Sequence, residues 1–158
     1  MDRIFAPWRM GYIKGERPDG CVFCKTSIRC EEYIIYEGKT AFVMMNKYPY
    51  NNGHLMVLPY FHTSSFEGLD DDTLQDLMKT TKYCVDCLTA AFHPEGFNIG
   101  INIGKAAGAG IEEHLHMHIV PRWGGDSNFM AVIGEVRIIP EHILETYDKL
   151  YPIFNKHN

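Results

Sequence analysis

The alternation of apolar and polar positions divides the chain into short strand-like runs and two longer helical ones. In "YIIYEGKTAFVMMN" two runs rich in aromatic and β-branched residues flank Glu37-Gly38-Lys39, which predicts a hairpin. "YPYNNGHLMVLP" follows, with a turn at Asn51-Asn52-Gly53 and a third strand over His54–Leu58. The period then changes. In "LDDDTLQDLMKTTKYCVDCLTAAF" the residues Leu74, Leu77, Met78, Thr81, Val85, Leu88 and Phe92 recur at helical spacing and predict one core-facing stripe. Asp72, with Gln75 three residues on, is the candidate N-cap of a capping box. Strict alternation returns in "FNIGINIG", setting Phe97, Ile99, Ile101 and Ile103 on one face and Asn98, Gly100 and Asn102 on the other. In "EHLHMHIVPRW" the same period puts His114, His116 and His118 on one face and Leu115, Met117 and Ile119 on the other, apolar one. A last helix is predicted from Pro140 to about Phe154, carrying Ile143, Leu144, Tyr147, Leu150 and Tyr151. Strands joined by hairpins, with the helices set apart, predict an α+β fold on an antiparallel sheet.

Composition narrows the class. A chain of 158 residues fits one domain with a sizeable core. Hydrophobic residues make up 46% and charged ones 22%, and no apolar run approaches the ~20 residues of a membrane span, so a soluble protein without a membrane partner is expected. The first residues, "MDRIFAPWRMGYIKGERPDG", lack the apolar core and cleavage site of a secretion signal, which predicts a cytoplasmic location. A net charge of −5 without a run of Lys or Arg gives no broad drive toward nucleic acid, so any nucleotide the chain handles is expected to be small. Five cysteines form an odd set, which favours thiols or a metal site over a disulfide framework.

Three imidazoles on one strand face are costly to pack, since each brings a donor and an acceptor that need partners when buried. Two kinds of chemistry remain open, metal ligation and nucleophilic catalysis. Cys21-Val22-Phe23-Cys24 has metal-clip spacing but is half a site. Gly104, Gly108 and Gly110 lie just before the histidine strand, where small residues let main-chain amides cradle an anion. Cys84 and Cys87, one helical turn apart, are expected to be packed thiols, and Cys30 has no evident partner. Two rivals stand beside a nucleophilic histidine. One is a zinc hydrolase using all three strand histidines as ligands, with Glu112 and Glu113 nearby; it leaves the CxxC without a role. The other is a non-catalytic nucleotide-binding module on the same fold.

"HLHMHIV" fits the His-φ-His-φ-His-φφ signature of the histidine triad family of nucleotide hydrolases and transferases, and "NGHLMVLP" resembles that family's strand with a fourth histidine. With "APWRM", "CVFC", "NIGKAAGAGIEEHLHMHIVPRW" and "GDSNFM", the chain resembles the bacterial branch of diadenosine tetraphosphate phosphorylases and hydrolases. The resemblance implies a sheet with one long central helix and a C-terminal helix, dimerising through its sheets. It divides the chain into an N-terminal segment with the CxxC (1–30), a catalytic core (31–125) and a C-terminal extension (126–158). It implies His116 as the nucleophile that becomes a nucleotidyl-histidine at the α-phosphorus, His118 as the contact to phosphates and leaving group, and His54 as their support. Asn46 would bind the ribose. Asn102 and the backbone of Gly108, Ala109, Gly110 and Ile111 would hold phosphate oxygens, with Met44 and Met56 against the base or, equally, in the core. It also implies a closed structural zinc site of Cys21, Cys24, His62 and His114, with magnesium as a candidate companion of the substrate phosphates. One departure matters. Phosphorylase-type relatives carry Gly-Ser where this chain has Ala109-Gly110, so hydrolysis is the expected reaction and phosphorolysis the alternative.

Overall fold

β1 (Ile34–Glu37) and β2 (Ala41–Met45) form the predicted hairpin, and β3 (Leu55–Pro59) follows the Asn51–Gly53 turn. A long helix, α1 (Asp71–Phe92), then leads to β4 (Gly96–Ile101), a one-turn 3-10 segment (Lys105–Ala107), β5 (Met117–Arg122) and α2 (Ile143–Phe154). The computed structural model describes residues 20–24, 33–127 and 138–156; Cys30 and most of the N-terminal segment lie outside them. The five strands make one antiparallel sheet in the order β1-β2-β3-β5-β4. β5 therefore lies inside the sheet and β4 at its edge.

The strand alternation sorts side chains as the sequence implies. Ala41, Val43, Met45, Leu55, Val57, Leu115, Met117 and Ile119 join Leu77, Cys84, Leu88, Leu150 and Phe154 in the main core under the helices. Phe42, Met44, Met56 and Leu58 point to the opposite face and close with Phe23 into a second apolar cluster. α2 packs on α1 and β1, with Tyr147 donating to the Ile34 carbonyl (3.1 Å) and Tyr83 of α1 to the Phe154 carbonyl (2.7 Å).

Several details differ from expectation, each with a local cause. The cap of α1 is Asp70, whose carboxylate accepts from the Thr73 amide at 2.7 Å; Asp72 lies inside the first turn, where negative charge suits the helix N-terminus. Gln75 accepts from Lys79 and forms no capping box. The buried line of α1 runs through Leu77, Thr80, Thr81, Cys84, Cys87 and Leu88, leaving Met78 58% exposed. Thr81 tolerates burial because its hydroxyl donates to the Leu77 carbonyl at 2.8 Å. Ile99 and Ile103 are about half exposed because α1 lies over β2, β3 and β5 and leaves the β4 edge largely uncovered. α2 begins at Ile143, capped by His142, and Leu144 and Tyr151 face outward. Gly53, at φ +71°, turns the chain into β3 where a Cβ would meet Leu88 at 3.1 Å.

Candidate active site and metal cluster

Strand register builds the site. Met44, Met56, His118 and Gly100 are paired in one row across β2, β3, β5 and β4, so all belong to the face opposite the helices. Ile101 and Met117 form the last register pair of β4 and β5, and Asn102 follows directly after it. β5 begins only at Met117, so of the three histidines expected on one strand His118 alone lies in it; His114 and His116 precede it on a segment held by the Leu115 amide on the Thr63 carbonyl at 2.7 Å. His54, His114, His116 and His118 are all buried.

The hydrogen bonds fix which nitrogen of each ring carries the proton. The Tyr50 amide can only donate, so at 3.0 Å it makes His54 Nδ1 an acceptor and puts that ring's proton on Nε2. His54 Nε2–H then donates to His118 Nδ1 at 2.9 Å, which leaves His118 with its proton on Nε2. That nitrogen is buried without a partner among the described residues. It is a donor aimed at whatever fills the site. His116 Nδ1–H donates to the His114 carbonyl at 2.8 Å, so its Nε2 keeps a bare lone pair. The arrangement offers a nucleophilic nitrogen beside a donor, the rings of His116 and His118 being 4.8 Å apart and steeply inclined.

Burial keeps these rings neutral. It holds His116 below the ordinary histidine range, against the pull of the His114 carbonyl, and with repulsion from His116 it lowers His118 to about 4. Both folded values lie below the unfolded one, so the neutral rings add stability above about pH 6.5 that is lost as pH falls toward 4. The urea midpoint should therefore fall between pH 7 and pH 4, and less steeply in His118→Gln; equal slopes in the two proteins would contradict it.

The third strand histidine turns elsewhere. His114 Nε2–H donates to the Pro59 carbonyl at 2.9 Å, so its bare Nδ1 faces Cys21 Sγ at 3.5 Å and Cys24 Sγ at 3.8 Å. Cys24 Sγ lies 3.2 Å from His62 Nδ1, and the four ligand atoms are all within 4.8 Å of one another. A tetrahedral ion with bonds of about 2.3 Å to sulfur and about 2.0 Å to nitrogen sets sulfur–nitrogen edges near ~3.5 Å. The four residues fit such an ion. The three strand rings do not converge on one point, which removes the geometric basis for a metal held by all three. Cys84 and Cys87 are buried thiols whose ionisation burial opposes.

The remaining expected residues divide. Met44 and Met56 share the face of His118 but are buried in the second apolar cluster. Asn46 lies at the end of β2, its side-chain oxygen accepting from the Tyr48 amide. In the glycine loop the amides of Gly108 and Ala109 donate to Lys105 and Gly104 carbonyls, whereas those of Gly110 and Ile111 have no main-chain acceptor among the described residues. Two neighbours went unmarked in the sequence. The Tyr50 ring lies over His54 (4.6 Å between centroids) and stacks on His118 (5.5 Å), and Phe23 packs on His116 at 5.0 Å. Neither residue type signals chemistry by spacing alone.

The HIT domain family matches residues 29–125, a span that holds the whole sheet together with His114, His116 and His118. The chain belongs to this family. Among HIT relatives it is 43% identical to a Mycobacterium tuberculosis protein named AP-4-A phosphorylase, over 92% of this chain and 80% of that protein. A hypothetical histidine triad nucleotide-binding protein from Sulfolobus tokodaii is 32% identical and superposes with a TM-score of 0.67, covering 86% of this chain and 90% of that one. A Zn-bound histidine triad family protein from Mycobacterium smegmatis shares the HIT fold (24% identity, TM-score 0.64, 94% and 93% covered).

Proposed function

We propose that the chain cleaves a dinucleoside polyphosphate, or a related nucleotide conjugate, at the α-phosphate through a nucleotidyl-histidine formed on His116. The single observation that carries this is the pairing of a bare His116 Nε2 with the buried, unpartnered Nε2–H of His118. In the first displacement the lone pair of His116 Nε2 attacks phosphorus and the bond to the leaving oxygen breaks. The His118 donor and the Gly110 and Ile111 amides hold the phosphate oxygens as charge develops. His54 supports His118, and Asn102, next after the last β4–β5 pair, is assigned a further oxygen. Asn46 for the ribose and Met44 and Met56 for the base complete the reading, with magnesium on the polyphosphate.

The second displacement returns His116 and transfers the nucleotidyl group to an acceptor. The missing hydroxyl at Ala109-Gly110 pointed to water, an expectation that the comparisons do not support. The M. tuberculosis relative's name favours inorganic phosphate, and main-chain amides can hold an incoming phosphate without a hydroxyl. We take phosphorolysis as the acceptor step. Product analysis on diadenosine tetraphosphate decides it: ADP plus ATP appearing only with added phosphate is expected, whereas AMP plus ATP regardless of phosphate would restore hydrolysis.

The Cys21, Cys24, His62 and His114 cluster is assigned to zinc, on the donor set of two sulfurs and two nitrogens at tetrahedral spacing. All four positions being protein atoms, the ion would tie the N-terminal clip to β5 and take no part in the chemistry. A homodimer is part of the proposal, with the β4 edge and its exposed Ile99 and Ile103 as a surface suited to joining sheets. So is a cytoplasmic location, where cysteines stay reduced for metal.

A further inference from the structure

Phe23 and Val22 lie between the clip cysteines, and of the two Phe23 is the more deeply buried. Only 9% of it is exposed, and it belongs to the second apolar cluster with Phe42, Met44, Met56 and Leu58. Its ring meets the His116 ring at 5.0 Å between centroids and 59° between planes, and the edge of His114 at 6.2 Å. Its place is set by the clip. The Phe23 amide donates to Cys21 Sγ at 3.4 Å, and the Cys24 amide to the Cys21 carbonyl at 3.3 Å, so the turn that presents both sulfurs also fixes this side chain.

We propose that Phe23 is a positioning residue for His116. The claim rests on the reading of His116 as nucleophile. A single hydrogen bond from Nδ1 to the His114 carbonyl fixes one point of the His116 ring and leaves its tilt undetermined. His118 limits the ring on one side, and Phe23 supplies a flat apolar wall as a further limit. That wall also keeps water from competing for Nδ1–H, which preserves the bare lone pair on Nε2. Attack on phosphorus depends on that lone pair being in line, and a misplacement of about 1 Å costs about 100-fold in rate.

The test compares Phe23→Ala and Phe23→Leu with the wild type, the leucine keeping apolar volume without a flat face. With diadenosine tetraphosphate and inorganic phosphate, Phe23→Ala should lower kcat by about 10- to 100-fold while KM stays within about threefold, and Phe23→Leu should fall between. The second readout needs no substrate. In protein carrying ¹⁵N-histidine, at one fixed pH, His116 should show well-separated signals for protonated Nδ1 and bare Nε2; in both variants the two should move together as the ring samples both tautomers. An unchanged separation in Phe23→Leu, or a loss confined to KM, would overturn the proposal. If the wild type fails to turn over this substrate, the nucleotide reading falls and the nitrogen signals alone decide the role of Phe23.

Discussion

Replacing His116 with Asn is expected to lower turnover of diadenosine tetraphosphate by about 10⁴- to 10⁶-fold, the loss typical of deleting a nucleophile that works as part of a unit. Asparagine keeps a side-chain N–H for the His114 carbonyl, so the bond that holds this position at 2.8 Å in the wild type has a replacement. Substrate affinity should therefore change only severalfold. Quenching the wild type with α-labelled substrate in alkaline denaturant should trap label on the protein that later acid treatment releases, and the variant should trap none. Two displacements at phosphorus each invert, so a chiral phosphorothioate should react with overall retention. Inversion, or near-normal turnover by His116→Asn, would sink the covalent mechanism.

The second large effect concerns stability. Wild-type protein should carry about one zinc per chain, the count of a closed four-ligand site, and the double variant Cys21→Ser, Cys24→Ser should carry none. An ion present at about 1,000 times its Kd stabilises the folded state by about 4 kcal/mol. In a domain of this size each kcal/mol moves the midpoint by about 2–4 °C, so the thermal midpoint should drop by about 8–16 °C. Zinc retained in the double variant would refute the ligand set. A chelator should lower the midpoint of the wild type and leave that of the variant where it is.

Much of this architecture was legible in the residues because alternation is a strong signal where one strand face is apolar and the other is not. Leu115, Met117 and Ile119 against His114, His116 and His118 show it plainly, and the structure sorts them to opposite faces. Helix faces were less legible because residue type misled: Thr80 and Thr81 are buried while Met78 is exposed, a choice made by packing and by a hydroxyl that finds a carbonyl. The cap was misplaced by two residues since "DDD" offers three equal carboxylates, and only the extended backbone at Asp70 distinguishes one. In the site, the histidines were visible as types, but their tautomers depend on Tyr50, Pro59 and His114 main-chain atoms that no side-chain pattern encodes. Phe23 and Tyr50 were invisible for a similar reason, their roles arising from where a turn puts an ordinary aromatic ring.

The chain of bonds from Tyr50 through His54 to His118 runs in one direction and begins at a backbone amide. An amide can only donate, so the bond it makes fixes the direction of the next one and adds no proton of its own to His118. With His118 held at about 4, no second proton is stored on that ring at neutral pH either. Before substrate binds, the assembly offers a hydrogen-bond donor and holds no spare acid proton. Groups that leave as stable anions, such as the phosphates of an anhydride, need nothing more. A group that must be protonated as it departs, such as an amine, would have to draw its proton from water or from its own neighbours. The direction of two hydrogen bonds thus suits the site to leaving groups that depart as anions.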